Sequence, residues 1–170
     1  MKRKITLFIA AAALSGTVLA AAVLVDNSSA APRASKGALV TLGKTGLGKV
    51  LVDARGRTLY LFEKDKRGRS ACYGACATYW PPVTSSAKPR AGKGVRASLL
   101  SLTKRSDGKR QVTYAGHPLY TFFGDTKAGQ TNGEGLTDFG AAWDAVAATG
   151  RSVEHAPSDS GPYGTGGYGG

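Results

Sequence analysis

A chain of 170 residues that is 42% apolar can build one domain with a real core, but not two comfortable ones once terminal segments are set aside. Its 23 Lys and Arg against 11 Asp and Glu give a net charge of +12, a field that attracts polyanions as well as keeping a protein soluble. Two cysteines and two histidines leave little material for a metal centre or a thiol–histidine pair.

Met1-Lys2-Arg3-Lys4 is a basic n-region, followed by an uncharged run from Ile5 to Val25 dominated by Ala, Leu, Val and Ile. Ser28-Ser29-Ala30 fits a small-residue cleavage site, with Ala20-Ala21-Ala22 an earlier one. Residues 1–30 are therefore expected to be a secretory signal. An uncleaved N-terminal anchor is the alternative, since the run is about as long as a bilayer span. Residues 31–37 read as a flexible lead and 38–149 as the folded unit. Residues 150–170 read as a disordered Gly/Tyr-rich tail that cannot bury enough surface to offset its ordering entropy.

The folded unit says one thing twice. Residues 38–65 and 98–125 align without a gap at an offset of 60, and between 48–65 and 108–125 eight of 18 columns are identical. Tyr60-x-Phe62-x-x-Asp65 closes the first copy and Tyr120-x-Phe122-x-x-Asp125 the second. Trp80-Pro81-Pro82-Val83 has a looser echo in Trp143-Asp144-Ala145-Val146. Repeats of this kind dictate architecture before any other signal.

Within each copy the pattern is β. Lys49 to Asp53 and Thr58 to Phe62 suit a hairpin about Ala54-Arg55-Gly56-Arg57. Ser98 to Thr103 and Gln111 to Tyr114 flank Asp107-Gly108, a stronger turn signal, and Ala115-Gly116-His117-Pro118 leads into Leu119 to Phe123. Alternation puts Tyr60 and Phe62, or Tyr120 and Phe122, on one face and Leu59 or Leu119 on the other. Ala71 to Tyr79 and Phe139 to Ala148 are expected to be short helices. The expected fold is mainly β: two β-meander repeats, 38–97 and 98–149, packed with pseudo-twofold symmetry because neither alone can hide both faces of its sheet.

The doubled Tyr-x-Phe-x-x-Asp, its Gly-Arg-Thr-Leu-Tyr and Gly-His-Pro-Leu-Tyr lead-ins, and Cys72-Tyr73-Gly74-Ala75-Cys76-Ala77-Thr78-Tyr79-Trp80-Pro81-Pro82 resemble the bacterial secreted-repeat lipoproteins defined by a Y-x-[FWY]-x-x-D motif. The resemblance runs from 38 to about 147. It implies an exported protein without an established biochemical function. Family members are often lipid-anchored, whereas here both cysteines lie far from the signal.

Asp65 and Asp125 end their strands at equivalent positions. They read as turn caps that accept backbone N–H bonds, with a pair of carboxylates forming a cation or acid/base site as the alternative. Tyr60, Phe62, Tyr120 and Phe122 read as core. Cys72 and Cys76, in an exported chain, default to a disulfide, with thiol-redox or metal-handling roles as the alternatives. His117 sits in a turn as a surface residue. No metal site and no cofactor is expected.

From Ala31 to Thr113 there are 18 Lys/Arg against 4 Asp/Glu, and from Tyr114 onward 2 against 6. Clusters stand at Lys64, Lys66, Arg67, Arg69, at Lys88, Arg90, Lys93, Arg96, and at Lys104, Arg105, Lys109, Arg110. For an exported protein the polyanions within reach are lipid headgroups and phosphate-rich wall polymers, whereas location and the absence of a recognised motif disfavour nucleic acid. The sequence also lacks G-x-S-x-G, H-E-x-x-H and phosphate-loop signatures. The leading expectation is a non-catalytic envelope-binding protein. The alternative is an extracytoplasmic redox or metal-handling protein using Cys72 and Cys76.

Overall fold

The computed structural model describes residues 37–153. The signal or anchor of residues 1–30, the lead up to residue 36 and the tail from residue 154 lie outside the described residues. The strands are β1 (Leu39–Thr45), β2 (Gly48–Asp53), β3 (Tyr60–Phe62), β4 (Arg90–Ala91), β5 (Leu100–Lys104), β6 (Arg110–Tyr114), β7 (His117–Pro118), β8 (Leu136–Asp138) and β9 (Ala141–Ala145), with a short helix, α1 (Ala75–Tyr79), and a 3-10 turn at Ala97–Leu99. They form three small sheets ordered β2-β1-β4, β3-β9-β8 and β5-β6-β7. The domain is mainly β, as its alternating apolar runs require.

The sheets enclose two apolar clusters, and the period-2 alternation decides which cluster each side chain enters. Val50, Val52, Tyr60, Phe62, Tyr120 and Phe122 belong to the first. Leu51, Leu59, Leu61, Val112 and Leu119 belong to the second. Val50 to Val52 of β2 and the whole of β3 are thus buried on both faces, which explains their unbroken apolar runs.

The two copies are interleaved. In each, the third strand first pairs with its own copy, at Val52 with Thr58 or Thr113 with Pro118. It then crosses to the tryptophan segment of the other copy. β3 pairs with β9, setting Tyr60 opposite Ala145 and Phe62 opposite Trp143. Correspondingly, Tyr120 bridges Pro82, the Thr121 N–H donates to the Pro81 carbonyl and the Val83 N–H to that of Leu119. Prolines 81 and 82 have no N–H, so this second ladder is half-made. The expected hairpin of 49–53 with 58–62 therefore ends with the Leu59 N–H to Leu51 carbonyl bond, and Tyr60–Phe62 leaves for the other copy.

The gapless alignment is corrected over one strand. Leu51 and Val112 make the same bonds, to the carbonyls of Val146 and Val83, and each accepts from Leu59 or Leu119. The structural offset is thus 61 across β2 and β6 and 60 on either side. Lys44 pairs with Lys49 but Lys104 with Arg110, so the second copy has one more residue in its hairpin loop. The first copy has one more in its next turn, where Asp53 pairs back to Arg57 while Tyr114 pairs with His117. The two insertions cancel in sequence, yet between them a one-residue slip would turn every side chain to the wrong face. Val52 and Val112, identical in the alignment, accordingly lie in different clusters.

Two further expectations are corrected. Residues 139–148 do not form a helix: Phe139 and Gly140 both have positive φ, at 56° and 90°, and close a two-residue hairpin between β8 and β9. Helix propensity is a weak prior, and burial of Trp143 and Ala145 against β3 overrides it. The fold also continues past residue 149. Gly150, at φ 90°, turns the chain so that the Val153 N–H donates to the Ala145 carbonyl at 2.9 Å.

Candidate functional site

The motif residues of both copies meet at the centre of the first cluster. Tyr60 and Tyr120 exchange both backbone hydrogen bonds, at 2.9 and 3.0 Å, because each third strand crosses into the other copy. Their side chains are exchanged as well. The Tyr60 hydroxyl donates to Asp125 Oδ2 at 2.7 Å and the Tyr120 hydroxyl to Asp65 Oδ2 at 2.8 Å. The second oxygen of each carboxylate accepts a backbone N–H, from Asn132 at 2.9 Å and from Ala71 at 2.7 Å, pinning the loop that follows its own motif. Among the described residues the two carboxylates share no hydrogen-bond partner.

Beside this exchange the rings form a column in which the copies alternate. Phe62 stacks on Trp143 at 4.1 Å and Trp143 on Trp80 at 3.9 Å, while Phe122 lies against Trp80 at 4.3 Å with its ring tilted by 34°. Tyr60 meets Trp80 edge-on at 5.4 Å and Tyr120 meets Trp143 edge-on at 5.1 Å. Trp80, Trp143, Tyr60 and Tyr120 are fully buried. Such rings contribute area and pair geometry together.

Burial drives the electrostatics. It raises the pKa of both phenols, and the carboxylate each faces raises it further, so both tyrosines stay protonated donors. Desolvation also pushes Asp65 up to about 6, against the Ala71 N–H, the Tyr120 hydroxyl and the Arg105 charge, which all pull it down.

Cys72 and Cys76 are joined in a disulfide, with Cα atoms 5.3 Å apart, and both are buried in the first cluster. The bridge leaves neither sulfur as a thiolate for a metal. Among the described residues no three His, Cys, Asp or Glu side chains gather to hold an ion. His117 is exposed on β7.

The basic residues divide. Lys66, Arg67, Arg69, Lys104, Lys109 and Arg110 are exposed. Thr103 Oγ1 donates to the Gly68 carbonyl, which brings the loop carrying Lys66, Arg67 and Arg69 against β5 and so towards Lys104. Lys109 and Arg110 line a cavity of about 520 Å³ with Thr84, Ser85 and Ser86. Lys64 instead donates to the Phe139 carbonyl at 3.1 Å. Lys88, Arg90, Lys93 and Arg96 are exposed.

Arg105 is a correction to the proposed anion-binding set. It is 2% exposed, and its guanidinium donates to Ser70 Oγ, Gln111 Oε1 and the Cys72 carbonyl at 2.7–2.8 Å. It also pairs with Asp107 at 3.1 Å and lies over the Tyr73 ring at 4.3 Å. Five donors in a planar fork make Arg the residue that can satisfy so many acceptors at once. In sequence nothing separates it from Lys104. What it does is tie the disulfide segment to β6.

Sequence reasoning also missed Lys44, Lys49 and Lys93 as a group. Lys93 is far from the other two along the chain, and only the strand register and the loop after β4 bring all three to one cavity.

No curated protein and no solved structure matches the chain. A family model described as a secreted repeat of unknown function matches residues 41–84 and again 101–147, together just over half of the sequence. The two matches fall on the two interleaved copies. Among the described residues no helix is long and apolar enough to cross a membrane. The molecule is an exported, duplicated β domain with a structural disulfide, and the chain belongs to the secreted-repeat family.

Proposed function

We propose that this domain is a non-catalytic module of the cell envelope that binds anionic envelope components through its basic first half. The two copies, related by a pseudo-twofold through the Tyr60–Tyr120 pair, act as the scaffold. The observation that carries this reading is the fate of the polar groups. The buried tyrosines pair with the motif carboxylates and Arg105 with Ser70, Gln111 and the Cys72 carbonyl, while Lys66, Arg67, Arg69, Lys104, Lys109 and Arg110 are left exposed. Co-sedimentation of the full-length protein with isolated envelopes tests it. Binding at low ionic strength that is released by salt is expected. Binding indifferent to salt, or none at low salt, overturns it.

One observation favours a second reading, an extracytoplasmic thiol–disulfide role for Cys72 and Cys76. The two are four residues apart, and closing so short a loop restrains the unfolded chain only weakly, which leaves the bridge under-explained as a staple. A redox titration decides. A midpoint within the range of the exchange catalysts, with thiols that cycle on the folded protein, supports the second reading. A bridge that reduces only on unfolding removes it.

A further inference from the structure

Three lysines converge on one cavity. Lys44 and Lys49 stand directly opposite each other across the β1–β2 hairpin. Lys93 joins them from the loop after β4, where the Leu42 N–H holds its carbonyl at 3.2 Å. The cavity, about 300 Å³, is lined by these three with Leu42, Gly43 and Gly94, and no carboxylate is among them. Gly94 has φ +80°, and a Cβ there would come within 2.5 Å of Leu42 Cδ1, so the loop closes onto the strand through a bare backbone.

Like charges directly opposite on antiparallel strands destabilise the pair. The second copy repeats the arrangement, with Lys104 facing Arg110 at the corresponding step of its own hairpin. An unfavourable pairing built twice is accounted for by a ligand that neutralises it.

We infer that the cavity of Lys44, Lys49 and Lys93 is a binding site for a phosphate group of a phosphodiester polymer. This deepens, and rests on, the envelope-binding reading above. Each ammonium carries three donors on a flexible stem and meets phosphate oxygens as a point charge. The volume is at the small end of ligand cavities, enough for one phosphate and its ester carbons, with Leu42 and the glycines facing the carbons. A concave site admits one unit of a flexible chain, whereas a bilayer presents its phosphates as a flat layer, so the polymer is the occupant.

The test is calorimetric titration of the full-length protein with poly(glycerol phosphate), comparing K44Q/K49Q/K93Q with R55Q/K127Q/R151Q, which removes the same charge at other exposed positions. The first variant is expected to weaken binding by about tenfold or more and the second by about threefold or less. K44Q/K49Q/K93Q should melt no lower than the wild type, because it relieves the opposed charges. Equal losses in the two variants overturn the cavity while leaving the basic surface as the binder. Absence of wild-type binding at low salt overturns both readings. Binding to phosphatidylglycerol vesicles that is as tight as to the polymer, and equally sensitive to K44Q/K49Q/K93Q, replaces the polymer by a lipid headgroup and overturns the occupant argued here.

Discussion

Tyr60 and Tyr120 lie opposite each other where the copies cross, bonded backbone to backbone at 2.9 and 3.0 Å. Each sends its hydroxyl to the carboxylate that closes the other copy's motif. The spacing Tyr-x-Phe-x-x-Asp follows from this. The tyrosine and phenylalanine share a face of the strand, and three residues after the phenylalanine the chain has turned, through the Asp65 N–H to Phe62 carbonyl bond or its counterpart from Asp125 to Phe122, to receive the other copy's tyrosine.

Removing one hydroxyl leaves a carboxylate short of its donor. Tyr60→Phe deprives Asp125, which is 3% exposed, and should cost about 1–3 kcal/mol in chemical denaturation. In a double-mutant cycle, Asp125→Asn should cost less in the Y60F background than alone, because the two groups are coupled. Additive losses would show that the pair is not a unit.

Asp65 gives the stability a pH dependence of defined sign. Its pKa is raised from 3.8 to about 6, mainly by desolvation. The folded state therefore holds the proton more tightly than the unfolded state. Asp65's contribution is fully present below about pH 4 and is lost as the pH rises through about 6. The difference in stability between wild type and Asp65→Asn should drift against the wild type across that interval. A difference that is flat or of opposite slope contradicts the burial argument.

Gly133 is held against the aromatic column. A Cβ there would lie 2.7 Å from Trp80 Cη2 and 3.0 Å from Phe122 Cγ, both parts of packed rings. Gly133→Ala should cost about 1–3 kcal/mol by overpacking. Gly46, with nothing within 4 Å of its virtual Cβ, serves as the comparison, and Gly46→Ala should stay within about 0.5 kcal/mol.

Arg105 and Lys104 are neighbours with opposite employment. Arg105→Gln strands the Cys72 carbonyl and Gln111 and should cost about 1–3 kcal/mol. Lys104→Gln should leave stability within about 0.5 kcal/mol and weaken only polyanion binding. Denaturation and binding on the same two variants check this.

The parts of the molecule legible in the sequence were those set by local chemistry. Asp107-Gly108 marked a real hairpin, Tyr60 and Leu59 parted to opposite faces, and the tryptophan echo named the two segments that receive the crossing strands. The Cys72–Cys76 bridge followed from exported context. Partner choice was not legible. Nothing local to Tyr60–Phe62 says that its ladder belongs to β9, and the Ala-rich stretch of β9 imitates a helix until its burial is known. The compensating insertions around β2 and β6 hid because identity at Val52 and Val112 rewarded the wrong register. Arg105 and the lysine cavity hid for a related reason: charge is visible in sequence, whereas its burial or convergence is a tertiary fact.

Binding of polyanions through the surface cations is tested most directly by the salt dependence of the domain's affinity for poly(glycerol phosphate). Log affinity is expected to fall linearly with log salt, with a slope on the order of the number of cations engaged, and the slope to become shallower in K44Q/K49Q/K93Q. A slope near zero, or affinity unchanged from low to high salt, would contradict it.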